Sequence, residues 1–257
     1  MHAELLVDLS KLIGFLLILA RVSGVIVMVP IPGLSAGTET SRIVLALVLT
    51  AALYPVCPQL STAAPTLVHV TGWIAAECAF GLTLGVAAAF LLEGLQMAAQ
   101  MIGLQAGYSF ASTIDPSTQA DTTTLQLMAQ LLAGSFFFAF GLEREIIKAL
   151  ARGLQSSPPG SYTLDPRSAQ AIAGLASSIF STGLRLAFPV LALTILLDVA
   201  FAVLGRLQGQ LQLLSLAFSA KMLVALMFLA TLLSGYPAVF RQSARAMFDL
   251  VLEVLIR

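Results

Sequence analysis

The chain has 257 residues, of which 58% are hydrophobic and 10% charged; a typical globular chain has roughly 45–50% apolar and about 25% charged residues. Thirteen basic and thirteen acidic residues cancel. So few charges could not cover the surface of a soluble domain this size, which excludes an ordinary cytosolic enzyme and a disordered protein, and no basic excess exists to neutralise nucleic-acid phosphates. The surroundings of this chain are mostly lipid or other protein.

Residues 12–20 (LIGFLLILA) have the length of a signal h-region, but Glu4, Asp8 and Lys11 precede them, so the leading segment is not basic. The apolar run resumes after Arg21 and continues to Ile31. It reads as an uncleaved first membrane segment. A spanning helix needs about 20 mostly apolar residues. The candidates in chain order are 12–31, 43–58, 68–92, 125–142, 170–203 and 212–234. Proline breaks the runs at Pro30, Pro32, Pro55, Pro58 and Pro65, marking kinks, re-entrant turns or hairpin ends, and Pro189 predicts a kink inside 170–203.

Four stretches read as loops: 32–41, 59–66, 106–124 and 153–166, the last ending in Asp165-Pro166 as N-cap and first helical residue. With six spans, eight basic residues fall on the side of the two termini and only Arg42 and Arg206 opposite, which predicts both termini inside. Cys57 and Cys78 sit in apolar stretches and read as small buried hydrophobes, with neither a disulfide framework nor zinc-site spacing.

Catalytic constellations are absent from the sequence. His2 and His69 are the only histidines, and there is no HExxH, GxSxG, phosphate loop or metal-ligand cluster. The expectation is a protein that is not an enzyme and carries no metal or cofactor. The ionisable residues inside apolar stretches say more: Arg21, Glu77, Glu93, Arg185, Asp198, Arg206 and Lys221. Each is costly against lipid and should face protein or water. Asp198 and Lys221 lie on successive segments and can pair. Such charges serve a conduction path or proton relay, or else lock helices together as salt bridges; the sequence leaves both open.

Glu93, Gln96, Gln100, Gly103 and Gly107 recur at helical spacing, with Leu92, Leu95, Ala99 and Ile102 on other faces. This stripe suits a wet surface or a tight helix contact. Met97 and Met101 sit beside it, either as a flexible seal or as gap-filling packing. Glycines four apart at Gly33/Gly37, Gly81/Gly85, Gly103/Gly107 and Gly205/Gly209 support close helix packing, although the first pair lies in a loop. Loop 106–124 alternates Tyr108, Phe110 and Ile114 with Ser109, Ser112, Thr113 and Asp115. Gly107 allows a sharp entry and Asp115-Pro116 favours a turn. Long loops of this kind are functional plugs or ordinary connections.

The order of these features resembles the flagellar biosynthetic protein FliR family, whose injectisome relatives form the SctT group. The resemblance covers about residues 10–235. Phe15, Arg21, Pro30 and Pro32 precede Arg42 and Pro55; Glu77, Gly81 and Gly85 match a Glu-and-Gly helix. Gly103, Gln105, Gly107, Phe110, Asp115 and Pro116 match the approach to a plug loop. Leu150, Ser156 and Pro158-Pro159-Gly160 match the end of a central hairpin, and Pro189, Asp198, Gly205-Arg206, Leu211, Phe218 and Lys221 a C-terminal core motif. That last motif departs from the family at residues 207–209 (Leu-Gln-Gly), at Gln212 and at residues 217–219.

The resemblance implies an all-α membrane protein of about six kinked helices forming hairpins, one integral-membrane domain over 1–257 with a C-terminal tail from 236. It implies a core subunit of the type III secretion export gate in the bacterial inner membrane, at the flagellar basal body. FliP- and FliQ-family proteins would complete the pore, FlhB and FlhA families would work with it, and unfolded proteins would pass through. Gly107, Tyr108, Phe110, Ile114, Asp115 and Pro116 would belong to the gating plug. Glu93, Gln96, Met97, Gln100 and Met101 would line the pore or meet a partner. Arg21, Glu77, Arg185, Asp198, Arg206 and Lys221 would be buried charges. The alternatives are the injectisome counterpart of the gate and a stand-alone transporter coupled through its buried charges.

Overall fold

The structure is a computed structural model that describes residues 2–29, 39–56, 67–108, 124–162, 166–207 and 213–255. Among the described residues every regular element is helical: α1 (His2–Met28), α2 (Glu39–Leu53) with a 3₁₀ turn (Tyr54–Val56), α3 (Leu67–Ala106), α4 (Thr124–Ala139), α5 (Leu142–Ser156), α6 (Pro166–Leu207), α7 (Leu213–Leu232) and α8 (Tyr236–Leu255). Pro166 opens α6 as expected, where its missing N–H costs nothing.

Two helices are longer than their sequence segments. No proline interrupts 67–106, so α3 runs for 40 residues, about 60 Å, through the polar stripe. The 42-residue α6 carries Pro189 in its interior without ending there. Within the C-terminal tail from 236, residues Tyr236–Leu255 form α8. α1, α3 and α6 are long and apolar enough to cross a membrane. The α4–α5 pair, bent by 57° at the Phe140-Gly141 break, and the α7–α8 pair, bent by 64°, raise the count to five if each is one span. Among the described residues the span expected at 43–58 is not found, because α2 has only 15 residues before the turn at Pro55. The orientation argument rested on six simple spans, and three to five are found among the described residues.

The chain forms two compact units, and α3, α4, α6 and α8 contribute to both. The first comprises Met1–Phe90, Phe137–Ala176 and Arg245–Arg257. Its core holds Leu17, Ile18, Val22, Phe80, Leu84, Leu150, Leu154 and Val251. α5 is amphipathic: Leu142, Ile146, Ala149, Leu150, Gly153 and Leu154 are buried at a spacing of three and four, while Glu143 and Glu145 sit in the first turn, where the helix dipole favours them.

α1 and α3 meet backbone to backbone in this unit. A Cβ on Gly24 would stand 2.8 Å from the Cys78 carbonyl oxygen, one on Gly85 2.8 Å from that of Val25, and one on Gly81 would overlap that of Arg21. The Gly81/Gly85 pair noted in the sequence is therefore the floor of a helix crossing. Cys78 is half-buried there, its thiol donating to the Ala20 carbonyl at 3.6 Å; Cys57 lies outside the described residues.

The second unit comprises Leu91–Phe136 and Ser177–Ala244. Leu92, Leu95, Ala98, Ala99 and Ile102 of α3 are buried, as are Leu186, Ala187 and Val190 of α6 and Tyr236 and Phe240 of α8. An apolar cavity of about 140 Å³ is lined by α3, α4, α7, the following turn and the Tyr236 end of α8.

The helix crossing gives a direct test. Gly81→Ala should sharply reduce the folded, monodisperse chain recovered in detergent, because backbone cannot move aside as a side chain can. Gly72→Ala, where nothing lies within 4 Å, should be neutral or gain up to about 1 kcal/mol from helix propensity. Fluorescence-detected size-exclusion chromatography after heating measures both.

Candidate functional site

Three constellations carry the polar chemistry among the described residues. The first is a buried clamp in the first unit. Arg21 of α1 and Glu77 of α3 have side chains 0% and 1% exposed, and Arg21 Nε donates to Glu77 Oε2. Arg21 Nη2 donates to the Ser157 carbonyl at 3.2 Å. Glu77 Oε1 accepts the Gly160 N–H at 2.9 Å. The guanidinium carbon lies 4.1 Å from the centre of the Phe80 ring, and Tyr162 meets that ring edge-on at 5.2 Å. Arg21 Nη1 has no hydrogen-bond acceptor among the described residues, and the cation–π contact is its compensation.

The purpose of this arrangement is visible in what it holds. The chain leaving α5 passes through Ser157, two prolines and Gly160, where φ is +84°. Prolines supply no N–H, and the turn's own backbone bonds run from the Ser157 N–H to the Gly153 carbonyl at 2.9 Å and from the Ser161 N–H to the Pro158 carbonyl at 3.0 Å, so the Ser157 carbonyl and the Gly160 N–H are paired from outside the turn. Arg21 takes its carbonyl and Glu77 its amide, fixing the hairpin end to α1 and α3. Trp73 closes the position: a Cβ on Gly160 would stand 3.2 Å from its ring.

The second constellation sits at the C-terminal end of α3 in the second unit. Lys221 of α7 contacts Asp198 of α6 at 2.8 Å to Oδ1 and 3.1 Å to Oδ2. Gln105 of α3 donates its amide to the same Oδ2 at 3.0 Å. The Lys221 side chain is 10% exposed and that of Asp198 45%. Two residues on, Gly107 adopts φ +89° against Phe218, and the Tyr108 hydroxyl donates to the Met222 carbonyl at 2.8 Å. Burial pushes the Tyr108 phenol above its ordinary value, so it remains a donor. Phe110, Ile114, Asp115 and Pro116 lie outside the described residues.

The third is the polar stripe of α3. Glu93 and Gln100 are exposed and Gln96 partly so, while Leu92, Leu95, Ala99 and Ile102 are buried. Met101 is half-buried, and Met97 is seated against α6, where a Cβ on Gly183 would stand 3.3 Å from its side chain. The stripe thus points out of its own unit.

The charges read together in the sequence separate here. Arg21, Glu77 and Lys221 are buried, Asp198 is half-exposed, and Arg185 and Arg206 are exposed. The burial expected of Arg185 and Arg206 is not found within this chain: Arg185 lies on an exposed strip of α6 with Leu184 and Phe188, and Arg206 lies at a helix end whose residues 202–204, 206 and 207 are all exposed. The Asp198–Lys221 pair foreseen in the sequence is present; the Arg21–Glu77 pair was not foreseen. Its signal was there: two opposite charges in apolar runs, each followed on its own face by a glycine, Gly24 and Gly81. Gln105 was unassigned because a glutamine near a helix end carries no signal until its acceptor is placed.

A family described as bacterial export proteins, family 1, matches residues 12–247. The chain is 26% identical to the flagellar biosynthetic protein FliR of Escherichia coli (strain K12) over 238 residues, 92% of this chain and 90% of that one. It is 26% identical to FliR of Caulobacter vibrioides over 236 residues (91% and 94%) and 25% identical to FliR of Bacillus subtilis (strain 168) over 248 residues (94% and 93%).

Removing one partner of a buried ion pair strands the other. Arg21→Met and Glu77→Leu should each cost about 3–5 kcal/mol of stability, whereas the double change Arg21→Met/Glu77→Leu should cost clearly less than the sum of the singles. A double-mutant cycle on thermal unfolding in detergent reads this; strict additivity would show that the pair is not coupled.

Proposed function

We propose, from the premise that this chain belongs to family 1 of the bacterial export proteins, that it is a core membrane subunit of the flagellar type III export gate. The observation that carries the reading is the alignment, along nearly the whole length of both chains, with proteins named FliR. In this reading the chain builds, with FliP- and FliQ-family proteins, the pore through which unfolded flagellar proteins leave the cell. FlhB- and FlhA-family proteins act with it at the basal body in the inner membrane. The chain supplies shape and surface rather than catalysis.

Physical features support a subunit over a free-standing carrier. α6 exposes Phe180, Leu184, Phe188, Ile195, Leu196, Val199 and Val203 along its length, with the exposed Arg185 among them. Apolar surface of this extent needs a cover, and a guanidinium amid it is costly in lipid, which favours a protein neighbour there. The outward stripe of Glu93, Gln96 and Gln100 supplies the wet surface that a pore wall or partner contact requires. Within loop 106–124, Phe110 to Asp121 plug this pore: Phe110 and Ile114 give apolar blocking surface, and Gly107 with the Ser/Thr-rich flank lets the segment swing aside.

Native mass spectrometry after co-expression with FliP- and FliQ-family partners tests the assembly. A mixed complex containing this chain is the expected result; a stable homo-oligomer that ignores those partners would favour a stand-alone transporter. Deleting residues 110–118 should leave assembly intact and make membranes bearing the complex leaky to ions. Unchanged permeability would remove the plug assignment.

A further inference from the structure

We infer that Asp198 is the keeper of a two-donor latch that holds the C-terminal end of α3 to α6 and α7, with Gln105 as the releasable arm and Lys221 as the positioning residue. The geometry is a relay through one carboxylate. Lys221 is nearly buried and engages both Asp198 oxygens, at 2.8 and 3.1 Å. A buried ammonium without a counter-charge is strongly unfavourable, so this contact fixes where the carboxylate points. Oδ2, pinned in that way, then accepts Gln105 Nε2 at 3.0 Å.

The arm lies where α3 ends. Gly107 leaves the helix at φ +89°, and Leu104, one residue before Gln105, is 62% exposed. The last turn closes on its own backbone, with the Tyr108 N–H on the Gly103 carbonyl at 2.9 Å and the Gly107 N–H on the Leu104 carbonyl at 3.3 Å, so the end is a capped unit that side chains tie to α6 and α7. Two polar side-chain contacts do so here: Gln105 to Asp198, and the Tyr108 hydroxyl to the Met222 carbonyl at 2.8 Å. Both end on, or depend on, α7, which carries Lys221 and Met222. A shift of α7 therefore reaches the end of α3 through Asp198. The Asp198 side chain is 45% exposed, so its exchange of partners needs no opening of the core. The consequence for ion leak rests on the gate reading above, since the chain leaving the latch enters residues 109–123.

The test uses the full chain in the assembled complex in lipid nanodiscs. Nitroxide labels replace Leu104 and Leu223, exposed at 62% on α3 and α7, with Cys57 and Cys78 changed to serine. The unaltered latch should give one narrow label-to-label distance. Gln105→Leu keeps the bulk and the ion pair but removes the donor. It should raise the population with a released α3 end by roughly ten- to a hundredfold, the range for a hydrogen bond to a charged group. Gln105→Lys restores a donor and should restore the narrow distance, which a packing role would not do. Asp198→Asn should release the arm as well; if it does not assemble, Gln105→Leu still decides. A Gln105→Leu distribution identical to the unaltered one overturns the latch. A shifted distribution with raised ion leak supports both latch and gate. A shifted distribution with unchanged leak supports the latch and counts against the gate reading on which its consequence rests.

Discussion

A guanidinium and a carboxylate taken wholly out of water must find their hydrogen bonds in protein, and the Arg21–Glu77 pair organises the first unit around that demand. Each ion answers the other and then uses a remaining group on the chain after α5: Arg21 on the Ser157 carbonyl, Glu77 on the Gly160 amide. The apolar packing of Phe80 and Tyr162 around them excludes water and strengthens the pair. None of the parts is useful alone. The charges without the hairpin end would be undersatisfied, and the proline-rich hairpin end without the charges would keep its internal bonds but lose its tie to α1 and α3.

This arrangement also depends on glycine. Arg21 and Glu77 can meet only because α1 and α3 approach more closely than side chains allow, and Gly24, Gly81 and Gly85 make the approach possible. Small residues and buried charges are thus one device. The glycines set the separation, and the ion pair fixes register and rotation at that separation.

The second unit uses a different balance. Its ion pair is only half withdrawn from solvent, with Asp198 open on one side and Lys221 covered. A fully buried pair suits a permanent joint. A half-open pair shared with Gln105 suits a joint that can exchange partners, and it stands where α3 gives way to the plug segment of the proposed gate. The two pairs have the same chemistry and differ in burial, which matches one to scaffold and the other to movement.

Composition and hydropathy by themselves determined that the chain is a helical membrane protein, because apolar runs of spanning length and a 10% charge content admit little else. The order of its prolines, glycines and isolated charges was enough to reveal the family. Proline positions also placed the breaks around Pro55 and the start of α6 at Pro166, since a missing N–H acts locally. Tertiary structure decided what depends on separation in space. Arg21 and Glu77 are 56 residues apart, and no local rule selects that pairing over Arg185 or Arg206 as the partner of Glu77. The continuity of α3 through Glu93 was hidden because a polar stripe ends an apolar run without ending a helix. Gln105 gained its role only when α6 and α7 brought a carboxylate and an ammonium to it, because a hydrogen bond is specified by position, which hydropathy does not encode.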